Sequence, residues 1–250
     1  FGAIPAIRSI FTAKNWQQRM PLLSGLKHVF GMPLYKTIHH NSNTQILIWN
    51  ITESFEQLNQ EVQLNEKSQL RLNGMKSEMH QRAFLSVRKL LALAGYSDFD
   101  LYYDEFGKPH LIDEKQISIT HSHHFSAIIV SNEAVGIDIE MQRDIILKIA
   151  HKFVNDEELE RLQKIDINDY IKKLTVKWGA KEAIFKIKNE KGISFKDHIQ
   201  VAPFELNQTQ TIADLNFNGA KQKFTILFSE LDTNFTLVYA FENNDTIQEH

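Results

Sequence analysis

The chain has 250 residues, 28 of them Lys or Arg against 31 Asp or Glu, for a net charge of -3, and 42% of it is hydrophobic. This is the make-up of an ordinary globular protein with material for one large domain or two small ones. The balanced charge argues against a nucleic-acid partner, and the absence of cysteine excludes disulfide scaffolds and thiolate chemistry while suiting a cytoplasmic setting.

Residues 1–31 mix apolar positions with Arg8, Lys14, Arg19 and Lys27 and contain no acid, so they are read as an N-terminal extension, with the folded core expected from Met32. Gln45 to Ile51 reads as a strand, followed after Thr52 and Ser54 by a short helical stretch. Glu78 to Ala94 is a stronger helix, with Phe84, Val87, Leu90 and Leu91 on one face and Gly95 as its stop. Short strands are expected at Leu101 to Tyr103, Ile117 to Thr120 and Ser126 to Val130, punctuated by turn residues at Gly107-Lys108-Pro109 and Asn132-Glu133. A second cycle begins with a strand at Val135 to Glu140. It continues through helices near Ile145 to Phe153, Asp156 to Gln163 and Tyr170 to Lys188, and ends in strands at Lys223 to Phe228 and Phe235 to Phe241. This order predicts an α+β fold of two similar halves, 32–133 and 134–245, rather than a doubly wound sheet. No apolar run reaches the roughly 18 residues of a membrane-spanning helix, so no membrane partner is expected.

The chemistry concentrates in two segments. In Val135-Gly136-Ile137-Asp138-Ile139-Glu140 the alternation of a strand sends the Asp138 and Glu140 side chains to one face. In Trp178-Gly179-Ala180-Lys181-Glu182-Ala183-Ile184-Phe185-Lys186 a helix places Trp178, Glu182 and Lys186 on one stripe. Carboxylates that converge repel one another unless a hard cation such as magnesium sits between them, and magnesium favours oxygen ligands and substrate phosphates.

Each motif also has a plainer reading. Asp138-x-Glu140 alone fits a solvated strand, Glu182 with Lys186 a surface pair worth a few tenths of a kcal/mol, Trp178 core packing and Lys108 an exposed turn charge. His121, His123 and His124 do not make a zinc site, because adjacent strand residues face opposite ways and no HExxH partner exists.

Taken together, Gly136-Ile137-Asp138-Ile139-Glu140 and Trp178-x-x-Lys181-Glu182-Ala183-x-x-Lys186 resemble the signature of the phosphopantetheinyl transferases. Gly107-Lys108-Pro109 and Ile119-Thr120-His121-Ser122 resemble two further motifs of that family in the expected order. The resemblance runs from about Gln45 to Phe241, and the length matches the larger monomeric type that activates surfactin synthetase. It implies a pseudo-dimeric fold with coenzyme A in the cleft between two α/β halves. It further implies transfer of the phosphopantetheine arm to a serine of an apo-acyl carrier protein or peptidyl carrier domain. By the same resemblance Asp138, Glu140 and Glu182 would hold Mg2+, Glu182 would be general base, Lys186 would act on the leaving phosphate, and Lys67, Lys108, Thr120 and His121 would bind coenzyme A. Several positions depart from the family: Gly179 replaces a Ser, Thr or Cys, His123-His124 follow Ser122 where Gly or Asp is common, Ala83 replaces a frequent Thr, and Thr120 the usual Ser. A glycine within a helix costs about 1 kcal/mol relative to alanine.

Overall fold

A computed structural model describes residues 33–243. The expectations placed on 1–31, on Met32 and on the last two residues of 134–245 lie outside the described residues.

The fold is α+β, and its elements are built in two cycles. The first comprises β1 (Leu34–Asn41), β2 (Thr44–Asn50), α1 (Phe55–Glu61), α2 (Glu66–Gly74), α3 (Glu78–Leu93), β3 (Leu101–Tyr103), β4 (Pro109–Leu111), β5 (Gln116–Ser122) and β6 (Phe125–Ser131). The second comprises β7 (Val135–Met141), α4 (Ile145–Ile149), a 3-10 turn (Ala150–Lys152), α5 (Asp156–Leu162), α6 (Ile167–Lys188), β8 (Ile199–Val201), β9 (Gln210–Phe217), β10 (Ala220–Leu231) and β11 (Phe235–Glu242). β1, β2, β6 and β5 pair in that order as one antiparallel sheet, and β7, β11, β10, β9 and β8 as another. β3 and β4 form a separate hairpin.

The two sheets pack face to face. Ile46, Ile48, Phe125, Ala127 and Ile129 of the first meet Ile137, Ile139, Phe235, Leu237 and Tyr239 of the second. On the outer face of the first sheet lie the apolar residues of α1, α2 and α3, among them Leu58, Leu72, Leu85 and Leu90. On the outer face of the second lies α6, through Ala180, Ala183, Ile184 and Ile187. Strands covered on both faces cannot alternate apolar with polar, which is why β6 (Phe-Ser-Ala-Ile-Ile-Val-Ser) is buried throughout.

The helices start and stop for local reasons. Ser54 and Gln57 form a reciprocal capping box on α1, and the Asn65, Asn155 and Asp166 side chains accept main-chain N–H groups at the starts of α2, α5 and α6. α6 ends at Asn189, whose left-handed backbone (φ 50°) returns its N–H to the Phe185 carbonyl. Among the described residues no helix is long and apolar enough to cross a membrane.

Sequence reasoning passes over β1, α2, β4, β8 and β9. β1 is an edge strand carrying Lys36, Thr37, His39 and His40 toward solvent, and β4 and β8 have three residues each, so they lack a strong apolar signal. The helix expected at Ile145 to Phe153 divides into α4 and the 3-10 turn, where Phe153 closes onto Ala150.

Candidate active site

β7 turns Val135, Ile137 and Ile139 into the inter-sheet core and presents Gly136, Asp138 and Glu140 toward α6. Two glycines decide how near the helix comes. A Cβ on Gly136 would lie 1.9 Å from the Ala183 carbonyl oxygen, and one on Gly179 would lie 2.8 Å from Val238 Cγ2 and 3.6 Å from Asp138 Oδ2. Gly179, which departs from the family pattern, is therefore a contact point between α6 and β11. Its lost helix propensity accompanies a close approach that brings Glu182 and Lys186 to the acids of β7.

Asp138 is 5% exposed. Its Oδ1 accepts from Lys186 Nζ at 2.8 Å and from Thr120 Oγ1 at 3.2 Å, while its Oδ2 is buried without a hydrogen-bond partner. Burial pushes the Asp138 carboxyl above the usual range, against the opposing pull of Lys186 and Thr120. Glu140 Oε1 accepts from Trp178 Nε1 at 3.1 Å. Burial first, and then the charges of Asp138 and Glu182, push Glu140 up to about 7 despite the Trp178 bond and Lys186. Glu182 is raised by burial and by Asp138, with Lys186 opposing. Lys186 Nζ also donates to the Ile137 carbonyl at 2.8 Å. One ammonium thus faces three mutually repelling carboxylates.

Among the described residues no group of three or more His, Asp or Glu side chains is gathered closely enough to hold a metal ion as it stands. Lys186 is bonded to Asp138 and acts on Glu140 and Glu182 through its charge alone. Asp138, Glu140 and Glu182 nevertheless suit a hard divalent cation: every donor is a carboxylate oxygen, each carboxylate is held above its ordinary pKa, and one buried oxygen, Asp138 Oδ2, lacks any donor.

The residues assigned to the coenzyme end take different places. His121 lines a cavity of about 310 Å3 together with Arg71, His80, Phe84 and Tyr103. Its ring centroid is 6.0 Å from that of His80. Burial first, then His80 and Lys186, lower the pKa of His121. Thr120 is buried and bonded to Asp138. Lys108 reaches from the β3–β4 turn to the C-terminal end of α6, where its Nζ donates to the Ile187 carbonyl at 2.6 Å. Burial lowers its pKa. Lys67 stands exposed on α2, and the cation of that helix that reaches the cavity is Arg71, one turn further on, with its guanidinium 4.9 Å from the Tyr103 ring centroid.

Three functional features escape sequence reasoning. Trp178, read as core packing, also holds Glu140, with its ring centroid 5.1 Å from that of Phe153 and 5.5 Å from that of Phe195. The Thr120 to Asp138 bond crosses between sheets, which no local pattern reports. Arg71 had a usable signal, since it follows Lys67 by four residues on one helical stripe.

Comparison with known proteins agrees with the motif reading. Residues 134–240 match the 4'-phosphopantetheinyl transferase superfamily. The chain is 30% identical over 128 residues to 4'-phosphopantetheinyl transferase gsp of Aneurinibacillus migulanus, covering 51% of this chain and 52% of that protein. It is 32% identical over 103 residues to 4'-phosphopantetheinyl transferase ffp of Bacillus subtilis, covering 39% of this chain and 44% of that one. These alignments span about half the length of the curated relatives. The resemblance to the superfamily, and to relatives of the larger type, is borne out.

Proposed function

We propose that this chain, similar over residues 134–240 to the 4'-phosphopantetheinyl transferase superfamily, moves the phosphopantetheine arm of coenzyme A onto a serine of an apo-acyl carrier protein or peptidyl carrier domain. The observation that carries the reading is the meeting of Asp138, Glu140 and Glu182 with Lys186 across β7 and α6, inside the matched segment. Asp138, Glu140 and Glu182 would hold Mg2+, which when bound offsets the charge of the coenzyme A pyrophosphate.

In the reaction the serine oxygen forms a bond to the phosphorus that carries the pantetheine, and the bond from that phosphorus to the oxygen of adenosine 3',5'-bisphosphate breaks. Glu182 takes the serine proton. Burial and the neighbouring Asp138 raise its pKa, which makes it a stronger base than an exposed glutamate. Lys186, already between Asp138 and the Ile137 carbonyl, offsets the charge that grows on the leaving phosphate. His121 and Arg71, which line one cavity, serve the nucleotide end together with Lys108, and Trp178 holds Glu140 in place. The enzyme is read as a monomer of the cytoplasm, in keeping with its lack of cysteine.

The test mixes the chain with coenzyme A, magnesium and apo-carriers of fatty-acid, polyketide and nonribosomal-peptide type, and weighs the carriers by mass spectrometry. The expected product is a carrier heavier by one phosphopantetheine arm. Asp138→Asn, which keeps the acceptor for Lys186 and removes the charge, should lower turnover by about 100-fold or more while the circular dichroism spectrum stays the same. Coenzyme A binding without a mass gain on any carrier would make the chain a non-catalytic binding module of this fold. Free phosphopantetheine without carrier modification would make it a phosphoesterase.

A further inference from the structure

β5 and β7 are edge strands of different sheets, yet they are tied together by side chains. Ser118 Oγ accepts from the Ile137 N–H at 3.2 Å, and two residues on Thr120 Oγ1 accepts from the Ile139 N–H at 3.3 Å. Both hydroxyls point the same way because alternate residues of a strand share a face. They differ in what they do with their own proton. Thr120 donates it to Asp138 Oδ1, the oxygen that also receives Lys186, whereas no such bond to an acid is made by Ser118.

A hydroxyl has one proton to give, so in this structure that of Thr120 is committed. Its acceptor capacity is also partly engaged by the Ile139 amide, and the residue is 6% exposed. These features suit a group that orients a carboxylate better than one that meets a ligand. With Oδ1 held by two donors, Asp138 keeps Oδ2 as its unengaged oxygen. Outer-sphere partners of this kind set the direction and basicity of a metal-binding carboxylate, and their loss costs about 10- to 100-fold in metal affinity.

We propose that Thr120 is a positioning residue for Asp138: its hydroxyl fixes the carboxylate so that Oδ2 is presented to a divalent cation, and it makes no contact with coenzyme A. The proposal rests on the reading of Asp138 as a metal-holding acid. The paired hydroxyls supply an internal control, because Ser118→Ala removes a tie to β7 without touching an acid.

The experiment measures Mn2+ affinity by electron paramagnetic resonance, thermal midpoint, and metal-free coenzyme A affinity by calorimetry on the full chain. The variants are Thr120→Val, Thr120→Ser, Ser118→Ala and Asp138→Asn. Thr120→Val should weaken Mn2+ by about tenfold or more, Thr120→Ser should restore it, and Ser118→Ala should lower the midpoint while leaving Mn2+ affinity alone. If Thr120→Val does not fold, Thr120→Ala against Thr120→Ser gives the same contrast. Three results overturn the proposal: wild-type Mn2+ affinity in Thr120→Val, equal Mn2+ losses in Thr120→Val and Ser118→Ala, or a loss of metal-free coenzyme A affinity in Thr120→Val. The first of these beside a large loss in Asp138→Asn sinks the positioning role alone. No Mn2+ binding in the wild type, or equal binding in Asp138→Asn, sinks the metal reading beneath it.

Discussion

Gly136 carries a constraint that a strand residue seldom bears. Any side chain there would run into the Ala183 carbonyl, which is helix backbone and cannot rotate away. Gly136→Ala is therefore expected to destabilise the fold by about 3 kcal/mol, at the upper end of overpacking costs, measured by urea unfolding. Gly179→Ala meets side-chain atoms, Val238 first and Asp138 Oδ2 at 3.6 Å, and not helix backbone, and about 1 kcal/mol of helix propensity works in its favour, so a net loss of about 1 kcal/mol is expected from the same measurement. Glu140 gives the pH dependence. Its folded pKa of about 7 stands above the 4.5 of an ordinary glutamate, so between those pH values the folded chain retains a proton that the unfolded chain gives up. Stability from this group is present below about pH 4.5 and is lost as pH rises through 7. Glu140→Gln imitates the protonated acid and is expected to raise the unfolding free energy of the metal-free protein at pH 8 by about 1 to 2 kcal/mol after allowance for solvent screening, seen as a higher thermal midpoint, and to change it little at pH 4.5. Equal effects at both pH values would exclude burial of the charge as the cause.

At the scale of elements, α6 is held by lysines on the side away from the acids. Lys181 is 3% exposed, and its ammonium donates to the Phe195 and Ile199 carbonyls. Lys177, 2% exposed, pairs with Glu158 and donates to the Val201 carbonyl. Burial lowers the pKa of both, to about 7 for Lys181. Lys181→Met should leave two buried carbonyls without their donor, lower stability by about 1 to 3 kcal/mol, and speed amide exchange across residues 194–201. Unchanged exchange there would mean that Phe195, packed on Trp178 and Phe185, holds the segment without the lysine. The contrast within α6 shows what a sequence can display. Glu182 and Lys186 were legible because helical periodicity places them on one stripe, and the face of Asp138 and Glu140 because strand periodicity is two. The lysine's carbonyl partners, the Trp178 to Glu140 bond and the Thr120 to Asp138 bond were not, since each depends on segments 14 to 38 positions away meeting in space.

At the scale of the molecule, the two sheets form one core and not two. Phe125 of the first sheet and Phe235 of the second are 0% and 3% exposed, with ring centroids 5.0 Å apart. The segment that matches the superfamily lies in the second sheet and its helix. Expressed alone, residues 134–243 would leave Ile137, Ile139, Leu237 and Tyr239 facing water, and the fragment is expected to self-associate at micromolar concentration in sedimentation velocity. A monodisperse, folded fragment would show that the second half does not need the first. The succession of strands and helices led to an expectation of two halves, and that the two sheets share one apolar layer was hidden from it, because a buried strand reads the same whatever covers it.

The hydroxyls of Ser118 and Thr120 have a bearing on solubility as well as on the acid they flank. A sheet edge with free amides invites a passing strand to pair with it, and β7 is such an edge. By capping the Ile137 and Ile139 amides, β5 denies that position to any other chain without forming a ladder of its own. The two sheets are thereby joined at this border by side chains, and the edge is closed to aggregation without becoming one continuous sheet.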